Sequence, residues 1–316
     1  MKARFEFQSA PSVGLRLRQG GRSMIELMVA VTISLVVLGT VMTLVVGMSH
    51  GSRTQEGQSR LTENAQIALN LVTGHLRMSG FSSPRFNAFP GARSANYEGA
   101  PVRGCNGPFV DSAEPDMALL QCGVVGAPNA MTVAYEADAT NTMLLGPNQP
   151  SDCLGQALPA QPSPFGGNFF VAENRFYVTN NPQTNNPQLV CDGNGGPGFG
   201  NPQAIIDNVD DFQVFYGVSD TAASRFGNVV FEGRTSSYLT ADQLDLAFPA
   251  EPPLTRWSRV SSVRVCLLMR TDDFVTDEAT PYFDCQGNLT VPNDRRLRFA
   301  VSSTVSLRNN NQVQGP

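Results

Sequence analysis

The side chains of this chain that could act as acids, bases, nucleophiles or metal ligands fall in few patterns that would do catalysis. It has two histidines, His50 and His75, both in a segment whose apolar spacing is helical. A hydrolytic triad needs a histidine base, and none lies in the part expected to fold as a domain. No P-loop, G-x-G-x-x-G, G-x-S-x-G or H-E-x-x-H pattern is present. Asp192-Gly193-Asn194-Gly195 opens like a calcium loop but lacks the closing glutamate, so an ordinary turn is preferred. Asp207, Asp210 and Asp211 could serve as a general base or metal site, and a solvated face is the favoured reading. Arg295, Arg296 and Arg298 are expected to alternate out of a strand into water. No catalytic residue, cofactor or metal is assigned, and an enzyme is not expected.

Six cysteines remain: Cys105, Cys122, Cys153, Cys191, Cys266 and Cys285. An even number, all beyond a candidate membrane span, points to disulfides in an oxidising compartment. A zinc site is the alternative, but there is no C-x-x-C pair and no histidine near them. Six cysteines allow 15 pairings. Joining sequence neighbours closes three modest loops, 105–122, 153–191 and 266–285, and this connectivity is expected.

The remaining chemistry is a lone carboxylate, Glu26, at the mouth of an uncharged run from Leu27 to Met48. As a helix at about 1.5 Å per residue this run measures about 33 Å, enough to cross a hydrocarbon core of about 30 Å. A carboxylate carried deep into lipid costs on the order of 2.5–3.5 kcal/mol, so a cationic partner is expected. Cleavage after Gly21 would supply one, because the new α-amino group on Arg22 would sit one helical turn from Glu26. An uncleaved anchor with Glu26 lying at the interface is the plainer alternative. The run is too long for a signal-peptide core, and no small-x-small site follows it.

Gly21 followed by Glu26 as fifth residue of the shortened chain, opening an apolar span, resembles the type III signal of type IV prepilins and type II secretion pseudopilins. The resemblance implies that a prepilin peptidase cuts after Gly21 and methylates Arg22. It also implies that Glu26 meets the N-terminal amine of a neighbouring subunit during assembly.

The elements that must carry this signal follow in order. Residues 1–21 form a basic leader, with Lys2, Arg4, Arg16 and Arg18 against Glu6, while the whole chain carries −5. The asymmetry predicts a cytoplasmic N-terminus and an exported remainder. That acidic remainder argues against nucleic acid. Apolar residues make up 41% of the chain and charged residues 16%, compatible with a sizeable core and not with disorder.

A long helix is expected over 22–80, spanning at 27–48, with Gly39 free either to loosen it or to pack closely. Its second half is amphipathic through Leu61, Ala65, Ala68, Val72 and Leu76, with Leu69 and Leu71 beside them, and it stops near Ser79-Gly80. Residues 81–202 read as loop-rich, with short strands at 117–120, 131–135 and 169–178; Asn180 to Gly200 reads as turn. Residues 203–316 read as an antiparallel sheet, with strands near 209–218, 228–231, 260–270 and 298–307. The fold class is α+β, the helix's apolar stripe lying on the sheet.

The phrases NVDDFQVFYGV, VSSVRVCLLMRT and RRLRFAVSSTVSLRN, with Cys266 and Cys285, resemble the C-terminal region of PilW-type minor pilins. The resemblance implies a low-abundance subunit that primes or caps a type IV pilus and supports extension, twitching, adhesion or DNA uptake. Its implied partners are other minor and major pilins, prepilin peptidase, the inner-membrane assembly platform and the membrane. Its implied place is a single-pass anchor in the inner membrane with a periplasmic domain, then the pilus tip. A type II secretion minor pseudopilin is the alternative, and a membrane-anchored exported enzyme or receptor a remoter one.

Overall fold

The computed structural model describes residues 21, 23–83, 95–219, 222–225, 228–231 and 235–309, with backbone alone at 49, 50, 222–225 and 228–231. Residues 1–20 of the expected leader (1–21), and Arg22, lie outside the described residues. The chain divides into two units, Met1–Ser52 and Arg53–Pro316.

In the first unit the described residues from Met24 onward are helical and belong to α1 (Met24–Met78), which runs unbroken through Gly39. Ser23 to Met48 are all exposed. Four hydroxyls interrupt the apolar run, and each donates to a carbonyl one turn back. Thr32 bonds to Val29 at 2.9 Å, Ser34 to Ala30 at 2.7 Å, Thr40 to Val37 at 2.8 Å and Thr43 to Thr40 at 2.8 Å. The helix thus satisfies its own polar side chains, which a segment without water around it must do.

In the second unit the latter part of α1 buries Leu61, Ala65, Ala68, Leu69, Val72 and Leu76, while Leu71 is half-buried. This is the three-and-four spacing of a one-sided helix. It ends where Gly80 takes a φ of 70°, a left-handed conformation cheap only for glycine.

The stripe shares a single core with two antiparallel sheets. The first sheet uses β1 (Val102–Cys105), β2 (Ala130–Glu136), β3 (Ala160–Pro162), β4 (Asn168–Asn180), β5 (Pro187–Gly193) and β6 (Gln203–Asp207). Its order is β1-β2-β4-β5-β6, with β3 also paired to β4. The second sheet follows from β7 (Val209–Val218), then a separate hairpin of β8 (Ala222–Arg225) and β9 (Asn228–Phe231), then β10 (Ser237–Leu239). After the short helices α2 (Ala241–Ala247) and α3 (Pro253–Trp257) come β11 (Val260–Arg270), the hairpin β12 (Tyr282–Phe283) and β13 (Leu289–Thr290), and β14 (Arg298–Ser306). The order is β10-β7-β11-β14.

The alternation in β7 sets its faces, with Phe212, Val214 and Tyr216 buried and Gln213 and Phe215 half-buried. Tyr216 meets Trp257 edge-on at 4.8 Å between ring centres. Its phenol also lies over Gly104 of β1, where any Cβ would overlap the ring, so the sheets approach through a missing side chain.

Two sequence expectations are corrected here. Residues 117–120 were expected as a strand, but Met117–Leu119 form a 3-10 turn because Asp116 caps it, accepting from Ala118 N at 2.8 Å. Asn180 to Gly200 was expected as turn, yet it contains β5, an interior strand of the first sheet. Leu189, Val190 and Cys191 are too few to give a periodic signal, and pairing with β4 supplies what local sequence does not.

Candidate functional site

Gly21 and Ser23 are exposed just ahead of α1, and Glu26 is exposed in its first turn. An acidic residue there complements the unbonded N–H groups and positive pole of a helix start. Beyond it, Ile25, Leu27, Met28, Ile33, Leu38 and Leu44 are among the exposed large apolar residues. The helix is long and apolar enough to cross a membrane. So large an apolar surface is a binding surface for lipid or for other apolar helices, since soluble monomers rarely leave one uncovered.

The second unit grips its end of α1 near Thr54 and Gly57. Thr54 Oγ1 donates to the carbonyl of Val275 at 2.9 Å, and a Cβ on Gly57 would stand 3.0 Å from Val275 Cγ1. Val275 lies in the loop after β11, within the segment closed by the Cys266–Cys285 disulfide. The other two bridges are Cys105–Cys122 and Cys153–Cys191, with Cα separations of 5.2 and 6.6 Å. They secure β1 to the loop before β2, and the loop after it to β5. All three join sequence neighbours among the cysteines, and no cysteine is free.

Further along α1, His75 is not available for catalysis. Its Nδ1 is in hydrogen-bond contact with Tyr135 Oη at 3.1 Å and Asn174 Nδ2 at 3.2 Å, which ties the helix to β2 and β4. Burial lowers its pKa to about 4, partly opposed by the charge of Asp152, so the ring is neutral and able to accept. Burial likewise pushes the Tyr135 phenol up to about 12. His50 lies in α1 with only its backbone described.

One residue of the acidic cluster and one of the basic cluster turn out to be partners. Asp210 on β7 meets Arg298 on β14 at 2.7 Å and Arg270 on β11 at 3.2 Å. Arg298 also pairs with Asp294 at 2.6 Å. The Arg298 side chain is 9% exposed, which corrects the expectation that it points into water. The same pairing holds the Asp294 carboxyl down near 2 and raises the Arg298 guanidinium. Of the other aspartates, Asp207 is exposed and Asp211 accepts from Gln213 at 3.0 Å; burial raises Asp211 above the usual carboxylate range. Arg296 donates to the carbonyls of Thr271 and Asp272, again holding the loop after β11.

Asp192 accepts from the backbone N–H of Gly200 at 3.0 Å and of Asn201 at 3.3 Å, closing the loop after β5. Among the described residues no group of histidine, cysteine and carboxylate side chains could hold a metal ion.

Sequence reasoning missed two buried polar knots. Glu136 accepts from Ser82 Oγ, from Ser83 N at 2.9 Å and from Asn96 Nδ2 at 2.8 Å, anchoring the chain as it leaves α1. Arg175, fully buried, pairs with Glu173 at 2.6 Å and stacks on Phe199 with 3.5 Å to the ring centre. Burial still raises Glu173 above the usual carboxylate range. The Glu136 knot joins residues at least 40 positions apart, and Glu173 and Arg175, though two apart, give no sign in sequence that they are buried against Phe199. Ser82 does donate to a carboxylate, but hydroxyl and carboxylate are both buried and the carboxylate also accepts from Ser83 and Asn96, so both knots read as structural.

Compared with known proteins, residues 175–309 match the family model of PilW, the type IV pilus-assembly protein W. Over that length, which includes β7, β11 and β14, the chain is PilW-like. No curated protein matches it. Among solved structures it is similar to a type IV-like pilin from Thermus thermophilus at 14% identity, covering 80% of this chain and 99% of that one, with a TM-score of 0.41.

Proposed function

We propose that this PilW-like chain is a minor type IV pilin, a structural subunit that primes or caps the pilus rather than an enzyme. The observation that carries the reading is the uncovered apolar helix of 24–48, continuous in α1 with a stripe buried in a disulfide-bonded α+β domain. In this reading prepilin peptidase cuts after Gly21 on the cytoplasmic side and methylates Arg22. The helix then holds the subunit in the inner membrane with its domain in the periplasm. Glu26 meets an N-terminal amine, its own or that of a neighbouring pilin, on the assembly platform. Twitching, adhesion and DNA uptake depend on the chain through the pilus.

The test is a deletion strain complemented with wild type or Glu26→Gln, scored for surface pili and for secreted enzymes. Loss of pili with secretion intact, restored by wild type only, is the expected result. Normal piliation with lost secretion would reassign the chain to a type II secretion system. Full piliation by Glu26→Gln would remove the assembly role of the carboxylate.

A further inference from the structure

Beside the Thr54–Val275 hydrogen bond, α1, the edge strand β6 and the loop after β11 enclose a cleft of about 930 Å³. Its charges are of both signs. Arg53 and Arg295 are exposed there, as are Asp207 and Asp273, and none of the four has an ion-pair partner among the described residues. The other charges of the wall are engaged: Arg60 pairs with Glu56 at 2.7 Å, and Arg270 with Asp210. Ile205, Ile206 and Phe274 add apolar surface to the same cleft. Phe274 is 57% exposed, with the Arg295 and Arg296 guanidiniums 5.5 and 5.0 Å from its ring centre.

The place of this cleft in the chain decides what it meets. Arg53 follows Met48, the last residue of the apolar run, by five positions. Five residues reach about 8 Å as helix and no more than about 18 Å fully extended. The headgroup layer on each side of the hydrocarbon core is roughly 5–8 Å thick, so a cleft whose wall begins this few residues after the apolar run is within reach of it. An exposed aromatic ring and arginines on apolar stems suit that depth.

We propose that the cleft binds the headgroup of a zwitterionic aminophospholipid, its phosphate on Arg53 and Arg295 and its ammonium on Asp207 and Asp273. The apolar wall receives the glycerol and the first acyl carbons. Arginine is suited to phosphate through its forked donors, and the carboxylates accept from the ammonium N–H groups. A headgroup carrying only negative charge would meet Asp207 and Asp273 unfavourably, and a choline headgroup has no N–H to give them. The inference rests on residues 27–48 acting as a membrane anchor.

The experiment uses the full chain in detergent and native mass spectrometry with phosphatidylethanolamine, phosphatidylcholine and phosphatidylglycerol of identical acyl chains. Phosphatidylethanolamine is expected to bind about ten-fold more tightly than either of the others. Arg53→Gln with Arg295→Gln removes this tighter binding, and Asp207→Asn with Asp273→Asn removes the preference over phosphatidylglycerol. All four side chains are exposed, and unchanged thermal unfolding confirms that the variants fold. O-phosphoethanolamine should displace the lipid where equal inorganic phosphate does not; equal displacement would make this a plain anion site and overturn the proposal. Equal binding of the three lipids, or a preference surviving in both variants, also overturns it. Carbonate extraction of membranes separates the two readings. Retention without lipid preference defeats the cleft alone, whereas release of the chain defeats the anchor and the cleft together.

Discussion

The hydroxyl of Thr54 donates to the carbonyl of Val275 at 2.9 Å, across 221 residues of sequence, and beside it Val275 packs against Gly57. This small junction is where the C-terminal sheet's long loop holds the helix that carries the apolar surface. Helical glycine is about 1 kcal/mol worse than alanine, but at Gly57 a Cβ would meet Val275 Cγ1 at 3.0 Å. Gly74 has open space around its Cβ position. Gly74→Ala is therefore expected to stabilise the domain by about 0.5–1 kcal/mol. Gly57→Ala should gain less, and Gly57→Leu should lose about 1–3 kcal/mol through overpacking. Thermal unfolding of the three variants checks this; equal gains at both positions would show that Val275 does not crowd the helix.

The loop bearing Val275 is closed by Cys266–Cys285, which are 19 positions apart. Replacing both by serine should cost about 3 kcal/mol, chiefly by freeing the unfolded chain. It should also raise amide exchange around 271–277 before it touches β2 or β4. Non-reducing peptide mapping of wild type should return the pairs 105–122, 153–191 and 266–285. A free thiol at Cys266 would contradict the structure.

His75 gives the domain an acid-side pH dependence. Its folded-state pKa is about 4 against an ordinary 6.5, so the unfolded chain takes up the proton first as pH falls. Stability contributed by the neutral ring is complete above pH 6.5, declines as pH falls towards 4, and does not decline further below that. The whole effect is at most about 3 kcal/mol. Denaturant unfolding between pH 7 and 4 should show a steeper loss in wild type than in His75→Gln. Parallel slopes would mean that the ring is not held neutral by Tyr135 and Asn174.

Asp210 balances two arginines on neighbouring strands, Arg270 and Arg298, which stand directly opposite each other in the pairing of β11 with β14. Among the described residues, Asp210→Asn leaves that facing pair with Asp294 as its remaining ion-pair partner. The expected cost is roughly 3 kcal/mol, because breaking one half of a desolvated pair exceeds the worth of the pair itself. A change within about 0.5 kcal/mol in urea unfolding, the usual size for a surface substitution, would place the network in solvent.

These pairings mark where the sequence stops being legible. The C-terminal strands could be read because Val209–Val218 alternates and Val260–Arg270 is apolar almost throughout. The helix was legible to its last turn because Leu61, Ala65, Ala68, Val72 and Leu76 repeat at helical steps. The first sheet was only partly so. Leu189 to Cys191 lie among asparagines, glycines and prolines, and only the neighbouring strand makes them β5. Asp210 and Arg298 illustrate the limit for charge. Each looks solvated within its own segment, and a separation of 88 positions hides that they meet.

The most direct test of the account is the mass of the N-terminal peptide from protein extracted from membranes. The account predicts a chain beginning at Arg22 and carrying one N-methyl group, with Glu26 as its fifth residue. A chain that retains Met1, or one cut elsewhere than after Gly21, would contradict it.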